Sequence, residues 1–412
     1  RDAIAFFSKD GQRDKVRLLQ WRKFSYFDVY RHENYMDYFY GEMLPSTGYC
    51  RVFNLEYLYP GMVLLMPDAK NPNRPATYRH SPKLAAVFYE SDEWGRLLRC
   101  SNVADLNDMI ANGSVRELVR VNEALHEKSY AGLADRIVKR GARAVLLAGP
   151  SSSGKTTSAN RLYTHLRVLG KNPVLLSLDD YYIDRDKIPI DEKGGRDLEH
   201  IETLDLSRFR EDLESLLQGT ETEIPEFDFS EGRRSPKGRM LKVGSDEPLI
   251  IEGIHELNPL MLSDAIPKDS IFRVYVSALT TLNLDDHNRI RTTDIRLLRR
   301  MVRDNSVRNA SVEYTLSLWP SVRNGEERWI FPYQEEADAF FNTALVYEPA
   351  VLKKHIFPLL LGIGEESPHY AMARDLVKFL NYFADAAVED EIPPTSILRE
   401  FIGGNTFYMK CD

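Results

Sequence analysis

The sequence predicts an α/β protein whose largest domain is a doubly wound parallel sheet, and three observations predict this class. An apolar strand from Ala144 to Ala148 runs into a glycine-rich turn and then a helix. Strand and helix patterns alternate from residue 141 to about 350, and two later apolar strands end in acidic residues. Such alternation is typical of parallel sheets, which bind ligands at the carboxyl ends of their strands.

The glycine-rich turn contains the pattern G-x-x-x-x-G-K-[ST], with Gly149, Gly154, Lys155 and Thr156 at its fixed positions. Glycines let the backbone N–H groups point at a phosphate, and the following helix offers the positive end of its dipole. In this pattern the lysine reaches the β- and γ-phosphates and the hydroxyl binds Mg²⁺. We therefore predict a P-loop NTPase-type fold that binds a nucleoside triphosphate and Mg²⁺. The predicted nucleotide-binding residues of the loop are Gly149, Pro150, Ser151, Ser152, Ser153, Gly154, Lys155, Thr156 and Thr157.

Composition limits the remaining function classes. A chain of 412 residues predicts two or three domains, and a net charge of -8 disfavours a surface that grips nucleic acid. The three scattered cysteines are typical of reduced thiols, which favours a cytoplasmic protein. No apolar run approaches the roughly 20 residues of a membrane span. Because the first residue is arginine, we expect the N-terminal domain to be incomplete.

Residues outside the predicted sheet divide into three parts. Residues 1–102 predict a smaller α+β domain, in which two β segments flank a turn at Ser46–Gly48. Residues 103–140 have helical spacing and end at Gly141, which predicts a helical connector to the nucleotide-binding domain at 141–350. Residues 351–412 predict a helical C-terminal region, with helices at 351–361 and 370–387. Whether this region packs on the core or on another subunit stays open, as does the oligomeric state.

Two strands of the predicted sheet end in carboxylates. Asp179 and Asp180 follow a strand that starts at Val174, and Glu252 follows a strand that starts at Pro248. Strand ends of a parallel sheet meet at one edge, so these groups should lie near the loop. Glu252 is placed to hold Mg²⁺ opposite Thr156. Asp179 is placed to accept a proton from the hydroxyl of a molecule that receives the phosphate, or else to complete the metal shell. Asp180 could do either.

Four arginines further along the chain, at 296, 299, 300 and 303, are spaced so that a helix would carry them on one face. A row of guanidinium groups beside a triphosphate predicts a lid that closes over the transferring charge. A solvated helix face and an RNA-binding strip are the alternatives. The second is weakened because no aromatic residues lie between the arginines.

Six motifs follow one another in order between about 143 and 345: GPSSSGKTT, SLDDYY, DLEHIETLD, IPEFDF, IIEGI and RRMVRD. Together they resemble the uridine kinase branch of the phosphoribulokinase/uridine kinase family. The resemblance implies an ATP-dependent transferase that moves the γ-phosphate to the 5′-hydroxyl of a nucleoside, with uridine or cytidine as the leading candidates.

The resemblance also implies roles for individual residues. Asp179 matches the catalytic base, and Glu252 matches a glutamate that assists Mg²⁺. Glu202 matches an acidic ligand of the ribose, and the aromatic residues Tyr182 and Phe227 match rings that face the nucleoside.

Arginines complete the implied site, since Arg300 matches a residue near the ribose, and Arg303 and Arg308 match residues that hold phosphates. The predicted catalytic residues are therefore Asp179, Lys155, Arg300 and Arg303. The predicted metal ligands are Thr156, Glu252 and Asp179.

Two positions depart from the pattern of pyrimidine kinases. Gly232 stands where those kinases have a base-reading histidine, and Ala310 stands where they have a second lid arginine. Loss of a buried hydrogen-bond donor can cost discrimination of the order of 10⁴. A non-nucleoside alcohol, such as a sugar phosphate or polyol, therefore stays an alternative acceptor. A nucleotide-gated regulator that binds tRNA or other RNA is the alternative from a different class.

A second resemblance concerns the N-terminal part of the chain. DAIAFFSKDGQRDKVRLL and VYRHENYMDYFYGEMLPSTGYCRVFNLEYLYPG are similar to the later part of the second additional, editing-type domain of threonyl-tRNA synthetases. Phe39 and Met43 stand where the synthetases have a functional cysteine and histidine, and neither can bind zinc or move a proton in the same way. The resemblance implies an editing fold without its chemistry. Roles in interaction, in substrate positioning or in structure alone stay open.

Overall fold

The computed structural model describes residues 2–23, 28–33, 35–39, 43–59, 61–188, 196–229, 231–280 and 282–408. A five-stranded parallel sheet with helices on both faces lies at its centre. The predicted α/β class, with a doubly wound parallel sheet, is therefore confirmed.

The N-terminal part consists of short elements around two antiparallel strand pairs. In chain order its elements are α1 (Asp2–Lys9), α2 (Arg13–Trp21), β1 (Tyr30–His32), β2 (Tyr35–Asp37), β3 (Asn54–Leu58), β4 (Gly61–Leu65) and α3 (Pro82–Leu98). Strand β1 pairs with β2, and β3 pairs with β4. Cys50 is exposed and Cys100 is buried, both as free thiols, and Cys411 lies outside the described residues.

The predicted turn at Ser46–Gly48 is present, but the β segments on its two sides do not pair with each other. Residues Thr47–Tyr49 form a 3₁₀ turn, and the Ser46 hydroxyl accepts a hydrogen bond from the Gly48 N–H at 3.1 Å. Serine favours such local bonds, which compete with strand pairing. The hairpin instead joins β3 to β4, where Leu55 lies opposite Leu64 and both side chains are more than half exposed, at 51% and 55%.

The connector consists of α4 (Val103–Asn112) and α5 (Val115–Arg140). A capping box starts α4, because the Asn102 side chain accepts from the Asp105 N–H and the Asp105 carboxylate accepts from the Asn102 N–H. Gly113, at φ +82°, separates the two helices. Helix α5 ends where predicted, at Gly141 in the left-handed conformation with φ +69°.

Nine strands and four helices follow between residues 141 and 347 among the described residues. The strands are β5 (Ala144–Ala148), β6 (Val174–Ser177), β7 (Thr222–Ile224), β8 (Phe227–Asp228), β9 (Arg233–Arg234), β10 (Arg239–Leu241), β11 (Leu249–Gly253), β12 (Ile271–Ser277) and β13 (Ala339–Asn342). The helices are α6 (Lys155–Val168), α7 (Leu206–Leu217), α8 (Thr292–Val307) and α9 (Val312–Gly325). A π-helical turn, Glu326–Ile330, follows α9.

The central sheet has the strand order β13-β12-β5-β11-β6, and every pairing is parallel. All five residues of β5 are buried, as expected for a strand covered on both faces. Leu146 packs into one apolar core with α7, and its neighbours Val145 and Leu147 pack into another with α5 and α6. Strands β5, β11 and β6 are parallel neighbours, so their carboxyl ends lie at the same edge of the sheet, beside the glycine-rich loop.

The C-terminal region consists of α10 (Glu348–Leu361), α11 (Tyr370–Leu380) and α12 (Arg399–Ile402), the last ended by Gly403 at φ +90°. These helices share one core with α4, α8 and α9, so the region packs on the nucleotide-binding domain. Helix α11 ends seven residues before the predicted Ala387. Asn107 causes this ending, because its side chain donates to the Tyr382 carbonyl at 2.7 Å and accepts from the Ala384 N–H at 2.7 Å.

No helix within the described ranges combines the length and the apolar character that crossing a membrane would require.

Candidate active site

The loop between β5 and α6 has the backbone geometry of an anion cradle. A Cβ added at Gly149 would lie 2.0 Å from the Val276 carbonyl oxygen, so only glycine lets the loop leave the sheet at this point. Gly154 caps α6 with φ +86°, where a side chain would be strained. The first N–H groups of α6 therefore face the loop, as phosphate binding requires.

Buried charges outside the loop hold its carbonyl groups. Arg296 donates to the Ser151 carbonyl at 3.0 Å and forms a bidentate ion pair with Glu326 of the π-helical turn. The Thr343 hydroxyl donates to the Ser153 carbonyl at 2.6 Å. These long-range contacts fix the loop from behind, so the cradle is preformed.

Two of the four arginines predicted to form a lid line the cavity, and the other two are buried in ion pairs. Arg296 and Arg299 are 1% and 0% exposed, and Arg299 pairs with Glu348 at 3.0 Å and with the Thr343 hydroxyl at 3.1 Å. Both arginines face buried carboxylates because their face of α8 packs against α10 and the turn after α9. Only Arg300 and Arg303 of the row reach the cavity.

The two predicted carboxylates lie at the mouth of the loop. Glu252 accepts hydrogen bonds from the Thr156 hydroxyl at 3.3 Å and from the Ser177 hydroxyl at 3.1 Å. Burial, and then the nearby Asp179, raise the pKa of Glu252 to about 7. Burial also raises the pKa of Asp179, and the Lys155 ammonium partly opposes this shift. The neighbouring Asp180 turns away and pairs with Arg239 at 3.0 Å.

Three arginines surround Asp304 on the opposite wall. The Asp304 carboxylate lies 3.3 Å from Arg300, 3.6 Å from Arg303 and 3.3 Å from Arg308. Arg300 also donates to the Ser151 hydroxyl at 3.0 Å. The Nε atoms of Arg300 and Arg303 are buried and, among the described residues, make no hydrogen bond. One carboxylate among three guanidinium groups leaves a positive wall that suits an anionic ligand.

These walls enclose a cavity of about 240 Å³. The predicted site residues that line it are Ser151, Ser152, Gly154, Lys155, Thr156, Asp179, Tyr182, Phe227, Glu252, Arg300, Arg303 and Arg308. The predicted residues that do not line it are Gly149, Pro150, Ser153, Thr157 and Glu202. The lining residues that sequence reasoning missed are Ile183, Arg185, Ile188, Leu198, Glu199, Phe229, Ile254 and Glu400.

Glu202 is the predicted ligand that the structure places elsewhere. Its side chain is 77% exposed, because the 3₁₀ turn Ile201–Thr203 directs it to solvent. Glu199, three residues earlier, lines the cavity instead, and its enclosure there raises its pKa to about 7. The DLEHIETLD motif carries both glutamates, and only the direction of the turn distinguishes them.

Three aromatic rings form the far wall. Ring centroids lie 5.8 Å apart for Tyr182 and Phe227, 6.1 Å for Tyr182 and Phe229, and 5.1 Å for Phe227 and Phe229. The sequence predicted two of these residues. Phe229 was missed although it follows Phe227 with the spacing of residues on one face of an extended segment, which is the signal that would have found it.

Gly232 marks a close approach beside these rings. It has φ +69°, and a Cβ at this position would lie 2.6 Å from Cδ of Arg185. Arg185 lines the cavity and donates to the Phe229 carbonyl at 3.0 Å. The Arg185 side chain therefore fills the space beside Gly232 in the far wall of the cavity.

The oxygen atoms near the loop suit a hydrated Mg²⁺. Thr156, Glu252 and Asp179 supply one hydroxyl and two carboxylates, and Mg²⁺ in phosphate-binding sites takes one or two carboxylates and keeps several waters. Within the described ranges no cluster of three or more His, Cys, Asp or Glu residues is arranged to enclose a metal by itself. The donor set fits a metal that arrives with a phosphate ligand.

Two solved structures with partial similarity are a Bacillus stearothermophilus protein described as a possible uridine kinase and the D-glycerate 3-kinase of Cryptococcus neoformans. The first is 17% identical, with a TM-score of 0.36, and covers 52% of this chain and 98% of its own. The second is 18% identical, with a TM-score of 0.29, and covers 68% of this chain and 89% of its own.

Curated relatives are more informative. The uridine kinase of Halobacterium salinarum is 29% identical over 197 residues, which is 47% of this chain and 77% of that protein. The uridine kinase of Staphylococcus aureus strain JH9 is 29% identical over 193 residues, or 47% of this chain and 83% of that protein.

A family model matches residues 145–346, and its description is phosphoribulokinase / uridine kinase family. This range contains the loop, both carboxylates at the metal position, the aromatic wall and the arginines of α8. It does not reach residues 1–102, whose resemblance to threonyl-tRNA synthetases stays a prediction. These matches identify a phosphoribulokinase / uridine kinase family domain at residues 145–346, and they support a small-molecule phosphotransferase.

Proposed function

We propose that the protein is an ATP- and Mg²⁺-dependent nucleoside kinase that phosphorylates a 5′-hydroxyl, with uridine or cytidine as the acceptor. One observation supports this choice of acceptor most directly. The cavity that holds Lys155 and Asp179 is closed at its far end by the three-ring wall of Tyr182, Phe227 and Phe229. A planar base has two apolar faces that such rings bind well, whereas a polyol has none.

The donor side would bind the triphosphate. The N–H groups of the loop and the Lys155 ammonium would hold the phosphates, and Arg300 and Arg303 would neutralise charge on the transferring group. Thr156 and Glu252 would hold Mg²⁺, which would offset the negative charge of the phosphates. All five residues lie in or beside the same cavity, so no domain movement is needed to bring them together.

Asp179 would act on the acceptor. It lies in the 3₁₀ turn that follows β6, and it lines the same cavity as Lys155 and Tyr182. As general base it would take the proton from the 5′-hydroxyl as the oxygen attacks the γ-phosphorus and ADP leaves. Burial raises its pKa, which improves its match to a weakly acidic alcohol.

The acceptor would be oriented by two residues that the sequence did not indicate. Glu199 would accept hydrogen bonds from ribose hydroxyls, and Arg185 would donate to carbonyl oxygens of the base from its place beside Gly232. Arginine has five N–H donors in a fixed plane, so it can replace the hydrogen bond of a histidine.

The test is incubation of the full chain with labelled ATP, Mg²⁺ and a panel of nucleosides, ribose phosphates and polyols. We expect ADP and a labelled nucleoside monophosphate only when a pyrimidine nucleoside is present. Asp179→Asn serves as the control for contaminating kinases. ADP release that follows polyols, or that RNA alone stimulates, would contradict the nucleoside assignment.

The domain division at 102, 140 and 350 stays part of this proposal. The nucleotide-binding unit would perform the chemistry, and residues 1–102 would have a role outside it.

A further inference from the structure

The C-terminal region contributes one side chain to the cavity, the carboxylate of Glu400 in α12. Thr157 is the third residue of α6, and its N–H donates to Glu400 Oε2 at 3.4 Å. The Thr157 hydroxyl donates to the same oxygen at 2.7 Å. An anion of the protein itself is therefore seated at the positive end of the loop helix.

The surroundings of this contact are arranged for an anion. Asn405 donates to the Thr157 hydroxyl at 3.1 Å, which directs the hydroxyl proton toward Glu400. Arg303 Nη1 lies 3.8 Å from Glu400 Oε1. An N–H, a hydroxyl and a guanidinium thus surround one carboxylate, in the combination that phosphate oxygens use at helix N-termini.

The backbone that carries Glu400 is fixed. Ile397 and Phe401 are both 0% exposed, and the Arg299 guanidinium lies over the Phe401 ring at 5.1 Å. The Ser396 hydroxyl donates to Glu123 of α5 at 2.5 Å. Because these contacts belong to the main core, the backbone of α12 is held beside the loop, and a displacement of Glu400 would be confined to its side chain.

We propose that Glu400 is a built-in competitor for the nucleotide phosphates. Its carboxylate occupies donors of Thr157, beside the cavity, and of Arg303, in the cavity wall, that a phosphate at the start of the loop helix would also use. A nucleotide that takes this seat must turn the carboxylate aside and remain close to it, which lowers the affinity for ADP and ATP. Two like charges that share the same donors in a poorly solvated cavity repel strongly. This inference rests on the proposed kinase function, because it assumes that nucleotide phosphates bind at the loop.

The test measures ADP binding to the full chain by calorimetry, without acceptor, for wild type and Glu400→Gln. Glutamine keeps the size of the side chain and can still accept a hydrogen bond from Thr157, but it carries no charge. We expect Glu400→Gln to bind ADP about 10-fold more tightly than wild type at low salt.

The matched control is Glu365→Gln. Glu365 is an exposed glutamate of the same C-terminal region, and its side chain accepts a hydrogen bond from the Tyr370 hydroxyl at 3.3 Å. We expect its ADP affinity to stay within about 2-fold of wild type, since surface charges far from the site interact weakly.

Glu400→Asp covers the case in which the glutamine variant does not fold. Aspartate keeps the charge but draws it back from Thr157, so ADP should again bind more tightly. Equal or weaker ADP binding by these variants would overturn the inference and leave Glu400 as a structural partner of Thr157. If wild type and all variants fail to bind ADP, the proposed function falls with it. If wild type and all variants bind ADP tightly and with equal affinity, the competitor role of Glu400 is refuted and the proposed kinase function is unaffected.

Discussion

The two ends of the cavity are built in different ways. The phosphate end consists of a loop, a helix start and two carboxylates on or directly after sheet strands, and it is fixed by the buried pairs Arg296–Glu326 and Arg299–Glu348. The acceptor end consists of Tyr182, directly after the 3₁₀ turn Leu178–Tyr181, and of Phe227 and Phe229, in and directly after the two-residue strand β8. One end rests on the core, and the other rests on short surface elements.

This difference in construction suits the different tasks of the two ends, which are phosphoryl transfer and recognition of the acceptor. Phosphoryl transfer depends on precise positioning of charge, and a sheet edge with buried ion pairs provides it. Acceptor recognition depends on shape, which short elements can change at little cost to the fold. The predictions that follow are ordered from the largest expected effect to the smallest, and each one tests whether the two ends act separately.

Asp179→Asn should lower kcat by about 10³-fold, because the amide cannot take the acceptor proton. The ADP dissociation constant should stay within about 2-fold of wild type. Steady-state kinetics and calorimetry measure the two quantities. Asp180→Asn is the neighbouring control, since Asp180 pairs with Arg239 outside the cavity. Comparable losses in both variants would refute the role of Asp179.

Arg299→Met should lower the free energy of unfolding by about 3 to 5 kcal/mol, because Glu348 is then left buried without its partner. Urea denaturation measures this change. Arg308→Met is the control, since its side chain is 58% exposed and should contribute under about 1 kcal/mol. A small effect for Arg299 would show that the loop does not depend on its buried support.

Phe229→Ala should raise the KM for the nucleoside about 10-fold and leave ADP affinity unchanged, because a ring of the acceptor wall is lost. Met240→Ala on the nearby strand β10, at a position 59% exposed, is the control. A change in ADP affinity of similar size would mean that the two ends of the cavity are coupled.

Acceptor binding should depend on pH through Glu199. Its enclosure raises its pKa from the usual 4.5 to about 7, so the carboxylate is mostly protonated at pH 6 and ionised at pH 8. The ionised form is the better acceptor for ribose hydroxyls, so the KM for the nucleoside should fall about 5-fold between pH 6 and 8. In Glu199→Gln the KM should be raised and should vary less with pH, because Glu252 is then the carboxylate of the cavity whose pKa of about 7 falls in this range.

The raised pKa of Glu199 also makes the free energy of unfolding depend on pH. A carboxylate whose pKa is raised in the folded state binds more protons there than in the unfolded chain. This contribution to the stability of the ligand-free protein is fully present below the unfolded pKa and is lost as the pH rises from about 4.5 through 7. Glu199→Gln should remove that part of the pH dependence.

Glu202→Gln should change the nucleoside KM by less than about 2-fold, since the side chain is 77% exposed and lies outside the cavity. This is the smallest expected effect, and it is paired with the large effect at Glu199. If Glu202→Gln raised the nucleoside KM as much as Glu199→Gln, Glu202 would again be the expected ligand of the ribose.

Local patterns predicted the phosphate end better than the acceptor end. The strand β5, the loop glycines and the helix from Lys155 each follow from composition and spacing within about 20 residues. The acceptor end depends on which way a short turn points, and nothing local to DLEHIETLD decides between Glu199 and Glu202. The sequence likewise indicated four arginines on one helix face, but not that Arg296 and Arg299 would meet buried carboxylates.

The sequence by itself determined the class of the fold, the loop and its expected ligands, because these rest on backbone conformation and on hydrophobic periodicity, both of which act over short distances. The tertiary structure alone decided which carboxylate faces the acceptor, which arginines are free, and that Glu400 lies at the loop helix 243 residues after its partner Thr157. Contacts over such separations depend on how whole elements pack, and the pattern of one segment does not contain that information.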